Sequence, residues 1–265
     1  MTRIIGIVLV RNENLFVSQA VTNVLDFCDQ IFLVDNGSTD GTAELLMELA
    51  GRLPEKLSYH RITHPSASHE LIKPFAGGDY WIFGVDGDEI YDPARLAVFR
   101  PRLLAGEFSS HWMVRGNVLH CSRLDLAAGQ ATGFLSPPSR SITKLHNFAA
   151  IDSWDGDTVE RLHGGAIRFR DGFGPHDKRS LEQEASWDDA SLRCLHLCFL
   201  RRSSADEINP AARENIMELH RGGLVGSLRR LANRFLRRKN PSRWKQERYC
   251  RGPLVTVEAR SFFSR

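Results

Sequence analysis

The sequence lacks any run of about 18 consecutive apolar residues, the length a helix needs to cross a bilayer, so no membrane-spanning helix is expected. It also lacks a disulfide framework. Its five cysteines, Cys28, Cys121, Cys194, Cys198 and Cys250, are odd in number and scattered. That excludes a small stapled secreted fold and makes a reducing cytoplasm the expected compartment. Charge of one sign is scarce as well: the formal net charge is only +3. Composition alone therefore gives no reason to expect nucleic acid. What is present is ordinary for a globular chain, with 42% hydrophobic and 25% charged residues. A chain of 265 residues can bury the core of one α/β domain.

The run Ile4-Ile5-Gly6-Ile7-Val8-Leu9-Val10 imitates a targeting segment, but it stops at Arg11-Asn12-Glu13 with no small-residue cleavage site. It reads instead as a strand buried on both faces. Val17, Val21, Val24 and Cys28 follow at helical spacing. Further strands are expected at Gln30 to Asp35, Leu57 to Ile62 and Tyr80 to Val85. Thr39 or Asp40 is placed to cap a helix through Leu49, and Asp92-Pro93 to open another. Alternating strands and helices predict a mostly parallel sheet with crossover helices.

After Ser110 the pattern changes. His111 to Cys121, Ile142 to Phe148, Ala166 to Phe169 and Arg193 to Leu200 read as short strands. Leu126 to Ser141, rich in Gly, Ala, Ser and Pro, reads as a long loop and a lid. From Pro210 the chain reads as helical and basic, with Leu224, Leu228, Leu231 and Phe235 on one face.

Ligands of an open parallel sheet bind beyond the carboxyl ends of its strands. Three expected strands end there in polar residues: Arg11-Asn12-Glu13, Asp35-Asn36-Gly37-Ser38 and Asp86-Gly87-Asp88-Glu89. Two carboxylates separated by glycine, Asp86 and Asp88, suit one hard cation that also bridges a diphosphate.

Val34-Asp35-Asn36-Gly37-Ser38-Thr39-Asp40-Gly41-Thr42, followed by Gly78-Asp79-Tyr80-Trp81-Ile82-Phe83-Gly84-Val85-Asp86-Gly87-Asp88-Glu89, closely resembles the family 2 glycosyltransferases. Asn12-Glu13 matches the pair that usually ends the family's first strand. The resemblance covers roughly residues 3 to 105. It implies an α/β GT-A (Rossmann-like) fold, with a mostly parallel central sheet flanked by helices. It also implies a nucleoside-diphosphate sugar as donor and Mn2+ or Mg2+ as cofactor. Asp35 would contact the base, with Val10, Asn12, Glu13 and Gly37 lining the same pocket. Asp86 would approach the ribose or the metal, and Asp88 would ligate the metal. Where the family often carries an Ala-Arg-Asn-type helix, this chain has His69-Glu70-Leu71-Ile72-Lys73-Pro74, and Lys73 is a weaker candidate for phosphate.

The expected organisation is a catalytic domain over 1–209 and a helical basic extension over 210–265. The nucleotide-sugar half would be 1–105 and the acceptor half 106–209. Late histidines supply a further metal ligand: His196 first, His163 beside Gly164-Gly165 as rival, His146 third. Cys194-Leu195-His196-Leu197-Cys198 also resembles a zinc pattern, weakly without a fourth ligand. An inverting transfer needs a carboxylate base for the acceptor hydroxyl. Asp157 is preferred narrowly over Asp155 and Glu160, with Trp154 placed to stack on a sugar. The acceptor is expected to be a glycan, lipopolysaccharide or lipid-linked hydroxyl. The basic stretch 221–251 would allow a peripheral contact with an anionic membrane at its inner face, where each cation adds about 1 kcal/mol. No nucleic-acid partner is expected, because acidic strand ends repel phosphates. A nucleotidyltransferase acting on sugar phosphates is the alternative enzyme class, although Arg11-Asn12-Glu13-Asn14 is not its Gly-rich basic loop, and a non-catalytic nucleic-acid-binding protein using the basic tail is the remaining alternative.

Overall fold

The structure, a computed structural model, describes residues 1–206 and 243–264. Strand β1 (Arg3–Val10) is buried from Ile4 to Val10, as its β-branched run requires. Helix α1 (Val17–Val24) then buries Val17, Ala20, Val21 and Val24. Strand β2 (Gln30–Asp35) leads to helix α2 (Thr42–Arg52), where Asp40 Oδ1 accepts the Thr42 N–H at 3.1 Å. Strand β3 (Leu57–Arg61) and the short helix α3 (Ala67–Glu70) follow. Strand β4 (Tyr80–Asp86) passes within two residues into β5 (Glu89–Tyr91). Asp92 then caps helix α4 (Pro93–Leu104), accepting from the Ala94 and Arg95 N–H groups at 3.1 and 3.2 Å.

The second half is built of strands: β6 (Met113–Arg115), β7 (Asn117–Asp125), β8 (Gln130–Leu135) and β9 (Lys144–Asn147). Next come β10 (Ile151–Glu160), β11 (His163–Phe169), β12 (Lys178–Ser180) and β13 (Arg193–His196). Helix α5 (Arg243–Tyr249) and β14 (Leu254–Glu258) complete the described chain.

The larger sheet has the order β12-β6-β9-β4-β1-β2-β3, and its β4, β1, β2 and β3 run parallel. A second sheet has the order β14-β8-β7-β13-β5, while β10 and β11 form a separate bulged hairpin. Alternate residues of β1 feed two cores. Ile4, Val8 and Val10 join Phe27, Leu33, Phe83 and Phe99; Ile5, Ile7 and Leu9 join Val34, Ile82, Phe148 and Trp154. Each such fully buried side chain contributes roughly 1.5–3 kcal/mol, which fixes the register of β1 between its neighbours.

Three expectations are corrected. Residues 126–141 are not an open loop: β8 lies between β7 and β14, with Gln130 opposite both Asp125 and Glu258. The strand at Arg193 ends at His196, not Leu200. The described end of the C-terminal stretch is not helical throughout. Its helix α5 docks through buried Lys245, and β14 extends the second sheet. Residues 243–251 of the expected membrane-binding stretch are thus partly packed on the core. The remainder of that stretch, and its Leu/Phe stripe, lie outside the described residues.

Candidate active site

The register of the parallel strands sets the frame. Val10 lies opposite Asp35 and Leu9 opposite Asp86, so the two acids close β2 and β4 on either side of β1. Asp35 is fully buried. Its Oδ1 accepts the Ser38 N–H at 2.9 Å, while Oδ2 accepts no hydrogen bond and has Arg61 Nε at 3.7 Å. A buried acceptor oxygen left in this state is costly unless a ligand satisfies it. Asn12 ties the neighbouring loop to β1. It adopts φ 55°, which asparagine tolerates, donates its N–H to Ser38 Oγ at 2.9 Å and accepts the Thr39 N–H at 2.7 Å. Gly37, at φ 70°, turns that loop with open space beside it.

The acidic centre sits at the corner where the chain leaves one sheet for the other. Asp86 is the last residue of β4, Glu89 the first of β5, and Gly87-Asp88 lie between. A Cβ on Gly87 would lie 2.3 Å from Glu13 Oε2, so glycine is what lets Glu13 close on this corner. Arg202 Nη1 donates to Asp88 and, at 3.1 Å, to Glu13 Oε1. His196 Nε2 stands 3.6 Å from Asp88 Oδ2, and the Leu197 N–H donates to the Asp88 carbonyl at 2.8 Å. Strand β13 is thereby fixed against the corner.

Asp86 has both carboxylate oxygens engaged, one by Arg161 and the other by Lys144 Nζ at 2.7 Å. Burial works against its charge, but Lys144 and Arg161 prevail and hold its pKa well below the usual range. Lys144 also reaches Glu89 at 3.1 Å. Burial, reinforced by Asp86 and Asp88, raises the Glu89 carboxyl well above its ordinary value. Arg161, fully buried, continues the chain to Glu160 at 2.8 Å, and Glu160 in turn holds His163 Nδ1. Burial opposes the Glu160 charge, yet Arg161 and His163 bring its pKa down to about 2.

The hairpin that carries Glu160 and Arg161 is clamped by α3. His69 contacts the carbonyls of Arg161 and Trp154 at 2.7 and 2.8 Å, and Ser68 Oγ accepts the Arg161 N–H at 2.9 Å. This places the segment that departs from the family's usual pattern in a supporting role. Lys73 pairs with Asp155 at 2.7 Å on the surface instead.

The other expected residues are dispersed. Asp155 and Asp157 are exposed on β10, whereas Glu160 is buried. Trp154 is also buried; its Nε1 donates to the Gly164 carbonyl at 2.9 Å, so the expected stacking on a sugar is excluded. His146 packs against Trp112 and Trp154 in the core. His163 lies on Glu160 rather than on Asp88. Four residues that composition and spacing did not single out complete the centre: His120, Lys144, Arg161 and Arg202. Only Lys144, set beside His146 in the sequence, had any local signal.

For a hard divalent cation, the fitting donors are the Asp88 carboxylate and His196 Nε2, with Asp86 available only if it yields Arg161 or Lys144. Burial pushes His196 down to about 4 against the pull of Asp88, so its ring is a neutral donor at physiological pH. The Arg202 contact shows that this corner already holds positive charge. His120, His196 and Cys198 form a further buried group whose donor atoms lie within 4.8 Å of one another. Among the described residues no helix is long and apolar enough to cross a membrane.

Comparisons with known proteins bear on this geometry. Among solved structures, the chain is similar to S. aureus TarS, with 14% identity, a TM-score of 0.40, and coverage of 73% of this chain and 35% of that one. It thus spans about a third of the length of that protein. It is also similar to a putative glucose-1-phosphate thymidylyltransferase from Bacillus anthracis, crystallised with sucrose, with 15% identity and a TM-score of 0.28. That match covers 46% of this chain and 56% of the other. No curated protein sequence matches the chain. The family model for glycosyl transferase family 2 matches residues 7–208, which take in the strand ends, the acidic corner, the hairpin and Arg202. On that match the chain is a member of glycosyltransferase family 2.

Proposed function

We propose that the protein is a metal-dependent inverting glycosyltransferase. It would move a sugar from a nucleoside-diphosphate sugar to a hydroxyl of a glycan, lipopolysaccharide or lipid-linked acceptor. The observation that carries this reading is the convergence of Asp35, Asp86 and Asp88 on one sheet edge around the end of β1.

Asp35 Oδ2, buried and lacking a hydrogen bond, is suited to accept from an N–H of the nucleotide base. Val10, Asn12 and Gly37 shape the same recess. Asp86, held ionised by Lys144 and Arg161, is suited to a ribose hydroxyl. Asp88 and His196 would hold Mn2+ or Mg2+, which supplies neutralisation of the charge that develops on the departing diphosphate. Arg202, released from Asp88, would place its guanidinium on a phosphate, where bidentate contact is strong.

The acceptor proton goes to the Glu160–His163 pair. A carboxylate whose pKa lies near 2 is a weak base by itself, but it can hold the Nδ1–H of His163 so that Nε2 takes the proton. Asp155 and Asp157 stay in water as an outer acidic rim. Nucleoside diphosphate release from UDP-, GDP- and TDP-sugars, measured with and without Mn2+, tests the function. Release with at least one donor, dependent on Mn2+ and lost in Asp88→Ala, is expected. Release that is indifferent to both would remove the metal role.

A further inference from the structure

We propose that His120 is a positioning residue that fixes the tautomer of His196 and turns the Nε2 lone pair of His196 toward Asp88. The inference rests on the reading of Asp88 and His196 as metal ligands and adds a residue behind them.

Strands β7 and β13 run parallel with His120 directly beside His196. The two Nδ1 atoms are 2.8 Å apart, a hydrogen bond that requires one N–H and one lone pair. The other nitrogen of His120, Nε2, lies 2.8 Å from the Arg140 carbonyl oxygen, which only accepts. The single N–H of a neutral His120 is therefore on Nε2, and its Nδ1 is the acceptor. His196 must then donate from Nδ1, which leaves Nε2 bare.

That bare nitrogen stands 3.6 Å from Asp88 Oδ2. The separation is too long for an N–H···O bond, and the same Oδ2 accepts from Arg202 Nη1. A divalent cation that displaces Arg202 would be shared by Asp88 and His196, and a carbonyl–histidine–histidine chain is the arrangement by which an outer partner orients a ligating imidazole. Tyr249 holds the outer ring, stacked on His120 at 4.3 Å and edge-on to His196 at 5.3 Å.

The same rings do not suit a soft cation shared with Cys198. Two nitrogens on one tetrahedral zinc sit about 3.3 Å apart, and both must offer lone pairs. Here a proton fills the 2.8 Å between them.

Two measurements test the role. In metal-free wild-type protein at pH 7.5, long-range 15N–1H correlation reads which nitrogen of His196 carries the proton; Nδ1–H is expected. Titration with Mn2+ alone compares wild type, His120→Phe and His120→Asn. Phenylalanine keeps a ring against Tyr249 but removes the acceptor, and is expected to weaken Mn2+ binding about 10- to 100-fold. Asparagine restores an acceptor near the Nδ1 position and is expected to recover most of that loss. An Nε2–H tautomer, or wild-type Mn2+ affinity in His120→Phe, overturns the proposal, and the 15N result decides alone if that variant does not fold. The two failures are separable. Wild-type protein that binds no Mn2+ removes the metal reading itself, whereas binding that ignores His120 removes only its positioning role.

Discussion

Arg202 and Asp88 form an ion pair at the corner between the two sheets, and the same Arg202 nitrogen reaches Glu13. A guanidinium lodged on the proposed metal ligand competes with a divalent cation until a diphosphate draws it away. Arg202→Ala is therefore expected to act in opposite directions on two measurements. Mn2+ alone should bind several-fold more tightly by calorimetry, while kcat falls by about 10- to 100-fold through loss of a charged phosphate contact. Weaker Mn2+ binding in the variant would show that Arg202 supports the metal instead of competing with it.

The hairpin carries four carboxylates, Asp152, Asp155, Asp157 and Glu160, but joins only Glu160 to the acidic centre, through Arg161. Glu160→Gln and His163→Gln should each lower kcat by about 10²- to 10⁴-fold, the range of a lost general base. Asp157→Asn and Asp155→Asn should stay within a few-fold of wild type. A collapse of kcat confined to Asp157→Asn would move the base to the exposed rim, where sequence reading first placed it.

Much of this centre was legible in the chain, and the part that was not has a physical reason. Asp35, Asp86 and Asp88 announce themselves because each ends or follows a continuous apolar run that only a buried parallel strand explains. Strand β8 is silent: Ala131, Thr132 and Gly133 show no period, and the strand is held by pairing with β7 on one side and with β14, from far along the chain, on the other. The cations are nearly silent for a similar reason. Lys144, Arg161 and Arg202 sit in no basic motif, and the aspartates they meet lie 58, 75 and 114 positions away. Charge convergence of that kind is a property of topology, not of local pattern. Trp154 was misread because an aromatic in an acidic segment looks like a sugar platform, while the fold uses it to seal the hairpin against His69 and Phe148.

Three buried histidines give the metal-free protein a defined acid response. Burial lowers His120 and His146 to about 3 and His196 to about 4. Between pH 7.5 and 5.5 the unfolded chain takes up these protons and the folded chain does not. Stability falls with pH by roughly 1.4 kcal/mol per ring over that interval. Glu89 acts with the opposite sign, because burial raises its carboxyl in the fold above its value in the unfolded chain. In urea unfolding with EDTA, His146→Phe should therefore lose about 1.4 kcal/mol less stability from pH 7.5 to 5.5 than wild type. An equal loss in the two proteins would mean that burial does not hold the His146 ring neutral in the fold.

The account depends most on the cation held at Asp88 beside a diphosphate. Calorimetric titration of UDP, GDP and TDP into wild type and Asp88→Asn, each with and without Mn2+, addresses this without any acceptor. At least one nucleoside diphosphate should bind wild type more tightly by 10-fold or more when Mn2+ is present, and Asp88→Asn should erase that gain while keeping the metal-free affinity. Equal enhancement by Mn2+ in both proteins would contradict the assignment of Asp88 as the metal ligand.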